Sequence, residues 1–159
     1  MGDHWEDRRA GRWSRLNTYD ELYGSTVCGV GLGDIGKRIA LTCSALGMTV
    51  VASTRQPDGR TPPGVEVVVG LDALSGVLPG CDHVVVRLPS APATRGLFNR
   101  ELLECMKPGA RFYDVGRGDV VEASALVDAL QTGRIGAAGL DVFAAEPPAS
   151  TSPLWRSPT

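Results

Sequence analysis

A doubly wound α/β fold, a parallel sheet with helices on both faces, is the fold class this sequence predicts, and three observations predict it. Short β-prone runs alternate with helix-period segments between residues 26 and 142. A G-x-G-x-x-G spacing, Gly31, Gly33 and Gly36, falls between the first such run and the first such segment. The run HVVVRL at 83–88 is apolar without alternation, as a strand covered on both faces requires. A chain of 159 residues that is 43% hydrophobic fits one sizeable core.

Each element follows in order. Residues 1–24 carry charges and isolated aromatics, Trp5, Trp13, Tyr19 and Tyr23, and read as an arm, helical between 5 and 13, that lays its rings on the edge of a domain spanning 25–159. TVCGV at 26–30 is the first strand. Ile35, Ile39, Cys43 and Leu46 recur at helical spacing, and Gly47 stops that helix. MTVVA at 48–52 completes one strand-helix-strand unit. VEVVV at 65–69 is a third strand, LDAL from Leu71 a short helix, and 83–88 a fourth strand. Helix at 99–106, strand at 110–115, helix at 122–130 and strand at 137–142 close the series. In such a sheet a ligand sits at the carboxyl ends of the strands.

Composition removes several classes of partner. The net charge of -2, from 16 Lys+Arg against 18 Asp+Glu, leaves no positive excess to hold nucleic acid. No apolar run spans a bilayer, and the polar start MGDHWEDRR is no secretory signal, so the expected place is the cytoplasm. Cys28, Cys43, Cys81 and Cys105 form no CxxC pair and sit among apolar neighbours as reduced thiols; no cluster of metal ligands is present.

A chain with 20 glycines produces G-x-G-x-x-G by accident, but a strand before it and a helix after it give the spacing a mechanism. Gly31 makes the tight turn, Gly33 lets a pyrophosphate approach, and Gly36 lets helix and sheet close. The amides of Asp34 and Ile35 then face the phosphates at the positive end of the helix dipole, while the Asp34 carboxylate points away. At the end of the second strand VVASTRQP offers no carboxylate for a ribose diol before Asp58. Ser53, Thr54 and Arg55 stand there instead, and a guanidinium suits a 2'-phosphate, so NADP is favoured over NAD. An adenine face or open solvent would serve the same Arg55. In DVGRGD at 114–119, Arg117 stands between glycines at the ligand edge, placed to clamp a carboxylate; Asp141 and Glu146 follow in GLDVFAAEPP.

The blocks GVGLGDIG (29–36), LPSAPATRGL (88–97), MKPGA (106–110), VGRG (115–118) and GLDVFAAEP (139–147) resemble the nucleotide-binding domain of the D-isomer-specific 2-hydroxyacid dehydrogenases, over about residues 8 to 158. That group includes phosphoglycerate, glyoxylate/hydroxypyruvate and D-lactate dehydrogenases. The resemblance implies a Rossmann-type, three-layer α/β/α domain and hydride transfer between a nicotinamide and a 2-hydroxy or 2-keto acid. It gives Arg117 the substrate carboxylate, Glu146 the support of a catalytic histidine, and Asp141 the nicotinamide amide. Thr94, Leu88, Pro89, Val115 and Gly116 line the cofactor by the same resemblance.

The family's acid/base is a histidine in a T-P-H block beyond the segment matching SPLWRSP at 152–158. This sequence ends at Thr159, and its histidines, His4 and His83, match neither that block nor its place; His83 reads as structural. RRAGRW at 8–13 corresponds to the lead-in of the nucleotide domain, so the separate substrate domain is expected to be absent. The reading is a cofactor domain, weak or inactive alone, that takes a small 2-keto or 2-hydroxy acid only when a substrate domain completes it. A non-catalytic nucleotide-sensing or partner-binding module and one half of a split dehydrogenase remain open alternatives. Dimers in that family form through nucleotide domains, and the aromatic arm suits such an interface, so a homodimer is expected.

Overall fold

The structure is a computed structural model that describes residues 7, 9–13 and 20–156. Six strands form one sheet with every pairing parallel: β1 (Thr26–Val30), β2 (Thr49–Thr54), β3 (Val67–Gly70), β4 (His83–Val86), β5 (Ala110–Asp114) and β6 (Ile135–Leu140). Their order is β3-β2-β1-β4-β5-β6. The winding therefore reverses between β1 and β4, where Val27–Val30 pair in register with His83–Val86. At that point a crevice opens outside the carboxyl ends of the two strands.

Residue alternation along the strands divides the core between the two faces. Val27, Val50 and Ala52 point to α1 (Asp34–Ala45) and pack with its Ala40 and with Met48 and Val65. Cys28, Val30, Val84 and Val86 point the other way, to the larger cluster. That cluster is filled by Leu74 of α2 (Leu74–Val77), Leu103 of α3 (Arg100–Glu104) and Leu126 and Leu130 of α4 (Ala123–Gln131). Phe98 and Phe112 meet edge to face at its centre, their ring centroids 5.1 Å apart. The doubly wound three-layer expectation holds.

Local chemistry explains the boundaries. α3 begins where the side chain of Asn99 accepts a hydrogen bond from the Leu102 amide at 2.9 Å. α1 ends into Gly47, whose φ of +79° suits glycine. Several boundaries differ from the sequence pattern, β3 starting at Val67 rather than 65 and β4 ending at Val86 rather than 88 among them, and three departures are informative. β2 runs on to Thr54 because Ser53 and Thr54 still pair with Val69 and Gly70 of β3. β6 starts at Ile135 rather than 137: Gly136 interrupts the apolar run, yet a Cβ there would lie 2.5 Å from the Gly109 carbonyl, so contact with the entry to β5 demands glycine. The short helix expected from Leu71 is a chain of turns, with 3₁₀ segments at Leu71–Ala73 and Leu78–Gly80 flanking α2.

The arm departs further. Asp7 and Arg9 are helical and a turn follows at 10–11, but Trp13 is 93% exposed and so does not lie on the domain edge. Tyr23, 77% exposed, places its ring where a Cβ on Gly47 would lie, 2.4 Å from that position. Trp5 and Tyr19 lie outside the described residues. Of the thiols, Cys28 and Cys81 are buried, Cys43 and Cys105 half-buried, and all are free. Cys28 is pushed well above the usual thiol range by its hydrogen bond with Cys81 and by burial. No helix among the described residues is long and apolar enough to cross a membrane.

Candidate functional site

A cavity of about 440 Å³ opens at the winding reversal. Its floor is the glycine loop, Gly31 to Ile35; the end of β2, Thr54 and Arg55, forms one wall and the segment after β4, Arg87 to Pro89 with Thr94, the other. The glycines divide the work of holding this loop. Gly31 has φ +111°, and a Cβ on it would lie 2.3 Å from the Arg87 carbonyl oxygen. A Cβ on Gly36 would lie 1.9 Å from the Gly31 carbonyl oxygen. Both close approaches build the turn itself. Gly33 is different: a Cβ there meets nothing within 4 Å, so the space above it is open to a ligand.

Gly33 is also the N-cap of α1, and no side chain among the described residues caps that helix, which leaves its first amides free for an anion. Asp34 is exposed and borders the cavity. Ser53 does not present its hydroxyl as the sequence suggested. It is fully buried, its Oγ without a partner among the described residues, because β2 lies inside the sheet, paired on both edges with β1 and β3. Thr54 and Arg55 do reach the cavity, Arg55 exposed. Asp58 lies beyond the strand, where it accepts a hydrogen bond from the Arg60 amide.

Thr94 is buried, and its hydroxyl is committed to the backbone of its own loop. It sits 2.6 Å from the Pro89 carbonyl, to which it donates, and accepts from the Ala91 amide at 3.0 Å. The loop carrying Leu88 and Pro89 is thereby held in shape against the cavity.

The VGRG segment after β5 is wedged between two neighbours. A Cβ on Gly116 would lie 2.8 Å from the backbone of Leu88, and one on Gly118 only 2.1 Å from that of Phe143. Between them Arg117 is exposed, its Nη1 donating to the Gly116 carbonyl at 2.8 Å, with Val115 also exposed beside it. On the far side Glu146 Oε1 accepts from the Phe143 amide at 3.0 Å, and the Asp141 amide donates to the Asp114 carbonyl at 3.0 Å. The structure thus brings the loops of Leu88, Arg117 and Phe143–Glu146 side by side along one edge. His83 is not among them. It enters β4 at the opposite edge, buried, with Nδ1 3.2 Å from the Tyr113 hydroxyl.

Sequence reasoning missed three features here. Asp114 is 1% exposed; burial pushes its carboxyl up to about 6, against the opposing hydrogen bond from the Gly116 amide. Asp119 accepts from Ser90 Oγ at 2.5 Å and from Arg95 Nε at 3.2 Å, bonds that hold it below the usual carboxylate range. Arg87 borders the cavity directly. Its only signal was a charge set at the carboxyl end of a run of valines.

Comparison with known proteins gives the same picture. The family described as D-isomer specific 2-hydroxyacid dehydrogenase, NAD binding domain, matches residues 1–159. D-3-phosphoglycerate dehydrogenase of Mycobacterium leprae is 39% identical over 93% of this chain, which spans 28% of that relative's length. A D-isomer specific 2-hydroxyacid dehydrogenase from Xanthobacter autotrophicus Py2, solved in complex with NADPH and MES, superposes with a TM-score of 0.84 at 41% identity, covering 96% of this chain and 48% of that one. A family protein from Aeromonas salmonicida reaches a TM-score of 0.91 at 37% identity, covering 99% and 50%.

Proposed function

The chain belongs to the NAD-binding domain family of the D-isomer specific 2-hydroxyacid dehydrogenases, and on that premise we propose that it is the dinucleotide-holding half of an oxidoreductase for 2-hydroxy and 2-keto acids, with NADP preferred to NAD. The observation that carries this reading is the open space over Gly33, flanked by the uncapped start of α1 and by Arg55. A bound nicotinamide dinucleotide would supply or accept the hydride. The chain's own residues hold it: the amides of Asp34 and Ile35 on the pyrophosphate, Thr54 and Arg55 on the adenosine ribose, and Leu88, Pro89, Thr94, Val115, Gly116 and Asp141 along the strand edge. The relative solved with NADPH supports the cofactor chemistry.

On the same reading Arg117 orients the carboxylate of the acid. To do so its guanidinium turns from the Gly116 carbonyl toward a bidentate partner, a stronger contact than the one it leaves. Glu146 keeps one oxygen on the Phe143 amide and turns the other toward a protonated partner. No histidine among the described residues reaches this edge, so the proton of the substrate hydroxyl has no acid/base here, a loss of roughly 10²- to 10⁴-fold in rate. The chain by itself therefore binds dinucleotide and turns over weakly or not at all.

We read the protein as a cytoplasmic homodimer, supported by the free thiols and by the exposed rings of Trp13 and Tyr23. Titration of the chain with NADH and NADPH, alongside assays with glyoxylate, hydroxypyruvate and pyruvate, tests the functional reading. Saturable binding without appreciable turnover is expected; no binding of either dinucleotide overturns it. Light scattering at micromolar concentration tests the dimer, which a single-chain mass would refute.

A further inference from the structure

Arg87 is fixed to the glycine loop by its backbone. Its amide donates to the Val30 carbonyl at 2.8 Å, and its own carbonyl fills the place a Cβ on Gly31 would take. The side chain therefore leaves the sheet edge beside the turn, half-buried, and borders the same cavity as Gly33, Asp34 and Arg55. Arg95, Arg100 and Arg111 each hold an aspartate. Arg87 makes no side-chain hydrogen bond or ion pair among the described residues. A cation at the cavity edge with no partner among the described residues is free to meet an anion there.

The charges around the cavity say which anion. Among the described residues its one bordering carboxylate, Asp34, stands in the first turn of α1, where it competes with any phosphate drawn to the free amides. Arg55 lies across the cavity at the end of β2, on the ribose side, while Arg87 adjoins the turn itself. We propose that Arg87 binds the pyrophosphate bridge that NADH and NADPH share, supplying next to the glycine loop the positive charge that Asp34 offsets. This rests on the dinucleotide reading above and adds to it a side-chain contact indifferent to the 2'-phosphate.

Fluorescence titration of the 159-residue chain and of Arg87→Gln with NADH and with NADPH tests it, each variant first checked by thermal melting. Loss of one charge-assisted contact should weaken both dinucleotides by a similar factor, roughly tenfold or more, and leave their ratio unchanged. Arg87→Lys should recover part of the loss, and Asp34→Asn, at an exposed position, should tighten both. Unchanged affinities in Arg87→Gln overturn the assignment, as does a loss confined to NADPH, which would move Arg87 to the 2'-phosphate. If the unaltered chain binds neither dinucleotide, the functional reading falls and this inference with it. That result is distinct from one in which the unaltered chain and Arg87→Gln bind alike.

Discussion

The hydroxyl of Ser90 donates a 2.5 Å hydrogen bond to Asp119, and that contact ties the loop after β4 to the loop after β5. Arg95 grips the same carboxylate oxygen at 3.2 Å, and the Gly96 amide donates to the Asp119 carbonyl at 2.8 Å. One residue thus braces the segment bearing Leu88 and Thr94 against the one bearing Arg117. Asp119→Ala should leave the melting temperature within a few degrees, since the pair is near the surface. It should speed hydrogen exchange at Ser90–Arg95 and weaken dinucleotide binding. Unchanged exchange in that loop would show that the backbone contacts suffice.

The frame of the fold was readable because its signals are local and repeated: six β-prone runs, glycine at the first turn, and valines without alternation in β4. Boundaries failed where a tertiary contact overrode the local pattern, as at Gly136, which packs on Gly109. The glycine loop, Arg55 and Arg117 were legible from order along the chain. Ser53 was misjudged because one step of register decides whether a strand side chain faces a cleft or the core. Asp119 escaped notice because its partners, Ser90 and Arg95, lie on another loop, and Arg87 and Asp114 because their place at the cavity and in the core is set by the sheet, none of which spacing reveals.

Asp114 gives a signed dependence on pH. Its carboxyl titrates at about 6 in the folded chain against an ordinary 3.8, so between those values the folded state holds more proton than the unfolded. Stability on this account falls as pH rises through the window from about 4 to 6, and the ionised group costs about 3 kcal/mol above it. Asp114→Asn keeps an acceptor for the Gly116 amide without the charge. Denaturant melts at pH 4 to 8 should show the variant more stable than the parent above pH 6, with the difference vanishing near pH 4. Equal stability at pH 7.5 would contradict the argument.

Alanine at the loop glycines should separate folding from binding. Gly36→Ala drives a methyl into the Gly31 carbonyl, and Gly31→Ala meets the Arg87 carbonyl at a φ of +111°; both should lower the melting temperature markedly. The methyl of Gly33→Ala meets nothing within 4 Å among the described residues, so the variant should fold as the parent does. Its methyl would occupy the open space over the loop, so dinucleotide affinity should drop while the melt is unchanged. A Gly33→Ala chain that binds as tightly as the parent would remove the ligand from that space.

Arg55 decides cofactor choice on the proposed reading. It borders the cavity over the glycine loop, and through Thr54 and Leu32 that cavity adjoins a second one of about 500 Å³ bordered by Lys37 and Arg60, which leaves room and positive charge for a 2'-phosphate. Asp58 tempers that charge, its Oδ2 lying 4.0 Å from Arg60 Nε. Arg55→Ala should therefore weaken NADPH roughly ten- to a hundred-fold and leave NADH nearly unchanged. Thr54→Asp, at the last residue of β2, should offer a ribose diol the carboxylate it lacks and tilt the preference toward NADH. Parallel titrations of the parent and both variants read the result directly. Equal affinity of the parent for the two cofactors would refute phosphate reading by Arg55, and equal losses in Arg55→Ala would place its guanidinium on the adenine that both cofactors carry.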